Sequence, residues 1–256
     1  MNALFDSHCH LDFDDFAEDR TAVLQRAHSA GIVAIMIPGV SRQQSHQRNI
    51  PESPIELYFG YGLHPYFIDQ HSSTDIEWVE QQLQQQPNAV VGEVGLDQHC
   101  PDYDKQKQLF IAQVALACQF RRPLIIHHRQ SQADLLKILK QYRATLPSPA
   151  GVIHAFSGSY EQAQAWLDLG FMIGVGGLIS YTRANKTRQA IARLPLSALL
   201  LETDAPDMPL AGFQGQRNEP AQLKRVVQVL AQLTAVSECE LAEQTTANAY
   251  HLFGRR

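Results

Sequence analysis

The chain of 256 residues carries only 21 Lys+Arg against 26 Asp+Glu, a net charge of −5 with histidine neutral. A protein that coats nucleic acid through a broad basic surface is therefore excluded, and any hold on phosphate must come from a local patch or from bound cations. The cysteines Cys9, Cys100, Cys118 and Cys239 form no CxxC pair. That excludes zinc knuckles and thioredoxin-type redox motifs and points to four reduced thiols. There is no run of about 18 apolar residues, so no membrane span is expected. The start, MNALFDSHCH, lacks the charged and apolar regions of a secretory signal, and cytoplasmic is the default location. Low-complexity segments, like-charge blocks and Gly/Ser linkers are also missing, so nothing divides the chain into separate domains. With 45% hydrophobic residues the chain can build a sizeable core.

Short apolar runs recur instead, at Leu4–Ser7, Ile32–Val40, Ile55–Tyr61, Ala89–Val94, Leu124–Ile126, Gly151–Ile153, Phe171–Val175 and Leu199–Leu201. Near-continuous hydrophobicity over so few residues suits strands buried on both faces of a parallel sheet. Amphipathic stretches at helical spacing lie between them, at Arg20–Ala30, Thr74–Gln86, Asp104–Arg121, Gln132–Arg143, Tyr160–Leu169 and Pro220–Leu233. Gly31 and Gly170 follow two of these as helix-ending glycines, while Asp75 and Ser131 stand near helix starts. Eight alternating units in a chain of this length predict an α/β fold, a single (β/α)₈ TIM barrel over residues 1–256. An open doubly wound sheet would call for a Gly-rich fingerprint after the first strand, and His-Cys-His stands there instead. Ser237–Phe253 reads as an extra helix closing the bottom or flank.

The 11 histidines are informative by position. His8 and His10 end the first run, His64 the third, Glu93 the fourth, His127 the fifth, His154 the sixth and Asp204 the eighth. In a barrel those strand ends converge on one face, where active sites of this fold are built. Residues i and i+2 of a strand share a face, so His8 and His10 can reach one cation while Cys9 turns toward the helical layer. Four imidazoles and two carboxylates exceed what one open tetrahedral site needs, and two divalent cations (Mg, Mn or Zn) bridged by Glu93 fit better. Such a pair can bind a hydroxide and clamp both the attacking and the leaving oxygen.

These motifs, His8-Cys9-His10, GLHP at 62–65, GEVGLD at 92–97, IHHR at 126–129, HAFSGS at 154–159, IGVGG at 173–177 and LLLETDAP at 199–206, resemble the TatD family of metal-dependent hydrolases. LLETDAPDMPLAGFQGQ resembles its YjjV-like branch in particular. The resemblance runs from residue 5 to about residue 253 and implies an amidohydrolase-like barrel. It implies one metal on His8, His10, Glu93 and Asp204, and a second on Glu93, His127 and His154. Asp204 would also accept a proton from the attacking water, making Asp204 and Glu93 the catalytic carboxylates. One position departs: many relatives carry a second histidine after GxHP, and Tyr66 stands there in this chain.

Further candidates surround this set. His64 is expected to contact substrate or transfer a proton, with a hydrogen-bonded structural role as its counterpart. Arg129 offers a guanidinium fork to phosphate. Arg183 and Lys186, with Arg188, follow strand seven, where loops of this fold often bind phosphate; the alternative is the solvated face of a helix start. Asp6 and Glu202 share strand parity with His8 and Asp204, so at least one is expected to accept a hydrogen bond from a ligand histidine. Asp97 either lines the site or braces the following loop. His128 should face outward. Gly174, Gly176 and Gly177 let the backbone pass close to the site.

Three functions fit these residues. The leading one is a divalent-metal-dependent phosphodiesterase, a deoxyribonuclease of 3'-5' exonuclease-like action using a metal-bound hydroxide, with nucleic acid as substrate, no membrane or obligate protein partner, and a monomeric state by default. The same hydroxide could attack an amide or an ester, such as aminoacyl esters on tRNA. The third is a non-catalytic metal-binding scaffold, which the six competent ligands disfavour.

Overall fold

The structure, a computed structural model, describes residues 3–46 and 48–254. Eight strands form one parallel sheet in chain order: β1 (Leu4–Asp6), β2 (Ile32–Ile37), β3 (Glu56–Tyr61), β4 (Val90–Asp97), β5 (Leu124–Arg129), β6 (Gly151–Ile153), β7 (Phe171–Val175) and β8 (Leu199–Leu201). The helices outside them are α1 (Arg20–Ser29), α2 (Arg42–His46), α3 (Thr74–Gln85), α4 (Tyr103–Phe120), α5 (Gln132–Gln141), α6 (Tyr160–Leu167), α7 (Asn185–Arg193), α8 (Leu223–Thr234) and α9 (Glu238–Phe253). This is the predicted barrel. No helix among the described residues is long and apolar enough to cross a membrane.

Local signals set the helix limits. The Asp102 side chain accepts from the Lys105 N–H at the start of α4, and Ser159 and Gln162 form a reciprocal capping box on α6. Gly31 and Gly170, at φ 96° and 83°, stop the chain after α1 and α6 in the left-handed region that glycine tolerates best. On α8, Leu223, Val226, Val227 and Leu230 recur at helical spacing and are buried against the barrel.

Alternation along the strands makes two cores. Outward side chains pack against the helices in the larger one, which contains Cys9. Inward side chains fill the lower barrel: Phe5, Ala34, Met36, Val90, Ile125, Val152 and Leu200. The C-terminal helix α9 closes that lower end, as its sequence suggests. Its Tyr250 and Phe253 rings lie 5.3 and 5.9 Å from Phe5.

The closing seam lies beyond the ends of β1 and β8. The Ser7 N–H donates to the Leu201 carbonyl at 2.9 Å, Asp204 N–H to His8 O at 2.9 Å, and His10 N–H to Ala205 O at 2.8 Å. Asp6, fully buried, accepts from the Thr203 N–H at 3.0 Å and the Thr203 hydroxyl at 2.6 Å, and from the His8 N–H at 3.3 Å. Its carboxylate therefore locks the seam and is not a partner of a ligand ring, which corrects one half of the sequence expectation. Three of the residues predicted to bind metal, His8, His10 and Asp204, are thus part of the backbone ladder that closes the barrel.

Several boundaries differ from the sequence reading. β2 stops at Ile37, three residues before Val40. β4 and β5 each run three residues further, to Asp97 and Arg129, because they pair with one another along their whole upper halves. An irregularity between Val91 and Val94 inserts an extra residue into β4 opposite β5. Such a bulge re-aims a side chain, and Glu93 sits within it. The short helix α2, of five residues, is absent from the sequence expectation, and α7 appears there only as the alternative helix start for the basic run after strand seven.

Beyond the bulge the two strands approach so closely that a Cβ on Gly95 would overlap the His127 backbone carbonyl. Gly95→Ala is therefore expected to separate β4 from β5 and cost about 2–3 kcal/mol. Urea unfolding of the two proteins measures this, and an unchanged midpoint would contradict it.

Candidate metal centre

Five strand-end segments deliver the six candidate ligands to one point. Glu93 is buried at its centre, and its two oxygens face different groups. Oε2 lies 3.1 Å from His8 Nε2 and 3.3 Å from His10 Nε2. Oε1 lies 3.2 Å from His127 Nδ1 and 2.7 Å from His154 Nε2. Asp204 joins the first group, its Oδ1 standing 3.5 Å from His8 Nε2 and 3.7 Å from His10 Nε2. Within each group the imidazole nitrogens also face one another, at 3.3 Å for His8 and His10 and 3.3 Å for His127 and His154.

These spacings fit cations. A tetrahedral ion with bonds of ~2.0–2.1 Å sets its ligand atoms roughly 3.3–3.4 Å apart. Lone pairs aimed at one another across that distance repel unless something positive lies between them. Among the protein groups alone, protons are shared unevenly. Burial opposes the charge on Glu93, but the imidazoles of His154, His64 and His8 and the bond from His10 outweigh it and hold the carboxyl well below its usual range. Burial likewise opposes the charge on His154, yet Glu93, with Asp204 and Glu202 behind it, pushes that ring up to about 10. His8 is driven down to about 3 by burial and by His154. A cation in each group would satisfy all these bases together. The donor set, imidazole nitrogen with carboxylate oxygen, suits zinc, manganese or iron, while magnesium favours the carboxylates.

His64 lies closer to this centre than its sequence position suggested. Its Nε2 is 3.1 Å from Glu93 Oε1. Its Nδ1 accepts from the Tyr66 N–H at 3.0 Å. A neutral ring that accepts at Nδ1 carries its proton on Nε2, and a protonated nitrogen cannot ligate a metal. The backbone turn at Tyr66 thus makes His64 a hydrogen-bond donor directed at Glu93.

His127 has the opposite arrangement. Its Nδ1 faces the centre and its Nε2 lies 3.2 Å from Asp97 Oδ2. That is the carboxylate–histidine pairing that fixes a ligand ring and raises its basicity. Asp97 also accepts from the His99 N–H at 2.7 Å, so it lines the site and braces the loop together. The sequence reading assigned the ring-orienting role to Asp6 or Glu202. Glu202 instead accepts from the Ala155 N–H, and burial raises its carboxyl to about 8. The even spacing Glu93, Gly95, Asp97 was the available signal for Asp97, hidden by ending the strand at Val94. Gly174 leaves room for Glu202, since a Cβ there would overlap the Glu202 carboxylate. His128 points outward, its ring 6.3 Å from Trp166, as its parity predicts.

The centre opens into a cavity of about 340 Å³ whose lining includes His64, Arg129, Asp207 and the rings of Phe13, Tyr66 and Phe67. Arg129, the last residue of β5, is exposed there. Arg183 and Lys186 are not brought to it. The chain after β7 leaves the mouth for the outer layer, where the Arg183 guanidinium sits 4.9 Å from the Tyr181 ring and Lys186 Nζ donates to Gln162 at 3.1 Å. The predicted basic patch is the exposed start of α7.

Asp97→Ala leaves the His127 ring free to turn. We expect metal affinity to fall by about 10–100-fold, measured by competition with a chromogenic chelator; an unchanged affinity would detach Asp97 from the centre.

Residues 5–254 match the family described as TatD related DNase. The metal-dependent hydrolase YjjV of Escherichia coli (strain K12) is 44% identical over 253 residues, covering 97% of this chain and 96% of that one. The crystal structure of YjjV superposes with a TM-score of 0.90 at 41% identity, covering 99% of this chain and 98% of that chain. The 3'-5' ssDNA/RNA exonuclease TatD of Pantoea vagans (strain C9-1) is 32% identical, covering 98% of this chain and 99% of that one. A barrel with histidines and carboxylates gathered at its strand ends, matched from end to end at these identities, places the chain in the TatD family of metal-dependent hydrolases.

Proposed function

We propose that the chain is a two-metal phosphodiesterase that hydrolyses single-stranded nucleic acid, DNA foremost, and works as a monomer. The observation that carries this reading is the division of the Glu93 carboxylate, with one oxygen toward His8, His10 and Asp204 and the other toward His127 and His154. Two cations held by those groups would supply positive charge beside both the attacking and the leaving oxygen of a phosphodiester. Magnesium, manganese and zinc are all compatible with the donors.

The chain's own residues do the rest. Asp204 is the less buried of the two central carboxylates, with its side chain 15% exposed against 2% for Glu93. It faces the cavity and takes the proton from the attacking water. His64 donates from Nε2 to Glu93 and keeps that carboxylate aligned. Arg129 meets a non-bridging oxygen at the rim. Asp97 holds His127. The exonuclease relative and the family's name support the same bond.

Purified protein loaded with Mg²⁺, Mn²⁺ or Zn²⁺ is the test, screened on single-stranded DNA, RNA, aminoacyl esters and amides. Cleavage of the nucleic acids is expected. Hydrolysis confined to the esters or amides would move the reading to that chemistry, and activity on none of the panel would remove it. Asp204→Asn should lower kcat by about 10²–10⁴-fold with metal content retained. Arg129→Ala should raise KM with little change in kcat.

A further inference from the structure

The metal cavity is bordered by an aromatic surface that no step above uses. Tyr66 is 72% exposed, the most exposed large hydrophobic side chain among the described residues. It stands on the cavity rim and meets the Phe67 ring edge-on at 5.2 Å. Phe13, which also lines the cavity, stacks on His10, with centroids 4.5 Å apart and planes at 21°. Phe13 and Phe67 also line a second cavity of about 300 Å³. They form a ridge between two adjacent cavities, each at the small end of the range for ligand pockets.

Charge decides what the second cavity accepts. Its walls carry Asp14 and Asp15 with the amides of Gln43, Gln44 and Gln70, while the buried Asp12 behind them is paired with Arg48 at 2.8 Å. Among the described residues lining either cavity, Arg129 is the one lysine or arginine. A strand tracked through its phosphates needs a row of such residues, and carboxylates repel that backbone. A base needs only a flat face and polar edge partners. One exposed aromatic is unremarkable on a protein surface. An exposed aromatic at the rim of a metal centre, beside a ridge of two more, is a stacking platform.

We infer that Tyr66, backed by Phe67, stacks on the base next to the scissile phosphate, so that a dinucleotide already makes the binding contacts of a longer single strand, gripped by base and not by backbone charge. This rests on the phosphodiesterase reading, and its test has a binding arm that does not. The probe is a dinucleotide with a phosphorothioate linkage and 2-aminopurine as the terminal base. Metal-loaded protein should quench its fluorescence. Tyr66→Phe should retain that quenching and Tyr66→Ala should lose it, and the exposed position leaves melting temperature as the check on folding. In cleavage assays Tyr66→Ala should raise KM about tenfold on dinucleotides with kcat within twofold. An abasic terminal residue should abolish the difference between the two proteins. A 12-mer should have a KM close to that of the dinucleotide, and the logarithm of its binding constant should fall linearly with log[salt] at the slope of a single phosphate contact, roughly −0.7. Equal quenching by wild type and Tyr66→Ala, or a 12-mer bound far more tightly with a steep salt slope, would overturn the inference. Quenching without hydrolysis of any phosphodiester would instead overturn only the reading of the reaction.

Discussion

One buried carboxylate organises the upper barrel. Five imidazoles, from His8, His10, His64, His127 and His154, come within 3.3 Å of the Glu93 oxygens. Burying that charge is unfavourable unless every lone pair is met, and no single strand can supply such a set. The ligands come from five segments of the chain, so the centre exists only when the barrel is closed. Closure in turn passes through the same residues, since the His8, His10 and Asp204 backbones form the seam between the first and last strands. Site and fold share their hydrogen bonds. A cation bound there opposes unfolding of the seam, because the unfolded chain offers no equivalent site.

The two ends of the cylinder solve different problems with the same alternation. Below, inward positions carry Phe5, Met36, Ile125 and Val152, sealed by α9. Above, the next inward positions carry imidazole and carboxylate. Ile125 and His127 are two residues apart on one strand, and so are Val152 and His154. An apolar side chain thus sits directly beneath His127 and His154, while the buried carboxylates of Asp6 and Glu202 lie beneath His8 and Asp204. That fixes ring position better than a loop would, because packed strands have few alternative arrangements.

Much of this was legible in the sequence. Eight short apolar runs, six of them ending in a histidine or carboxylate, point to both a parallel barrel and the face that carries chemistry. His8, His10, Glu93, His127, His154 and Asp204 follow from residue type and strand position alone. What escaped depends on contacts between strands. Asp97 was separated from Glu93 by a strand end placed at Val94, because pairing with β5, and not hydrophobicity, carries β4 to its last residue. The donor role of His64 depends on one backbone N–H at Tyr66, which composition does not reveal. Arg183 and Lys186 misled because a basic run after strand seven can enter the mouth or start an outer helix, and the path of the backbone at Gly177–Ser180 decides which.

The charge balance of the mouth ties these observations to the substrate. Around the cavity, Glu93, Asp97, Asp204 and Asp207 face one guanidinium, Arg129. A phosphodiester approaching the protein groups alone meets net repulsion. With two divalent cations in the centre, the same carboxylates become the ligands and neighbours of four positive charges, and the field at the mouth reverses for an anion that reaches it. That reversal is short-ranged at physiological ionic strength, where screening acts over about 8 Å. Attraction is confined to the phosphate next to the metals, while phosphates further along a strand meet only the acidic rim. On the proposed two-metal reading, selection for a terminal or isolated phosphodiester would follow from this geometry of charge, and the remaining affinity would come from surfaces that do not depend on charge, which at this mouth are aromatic rings.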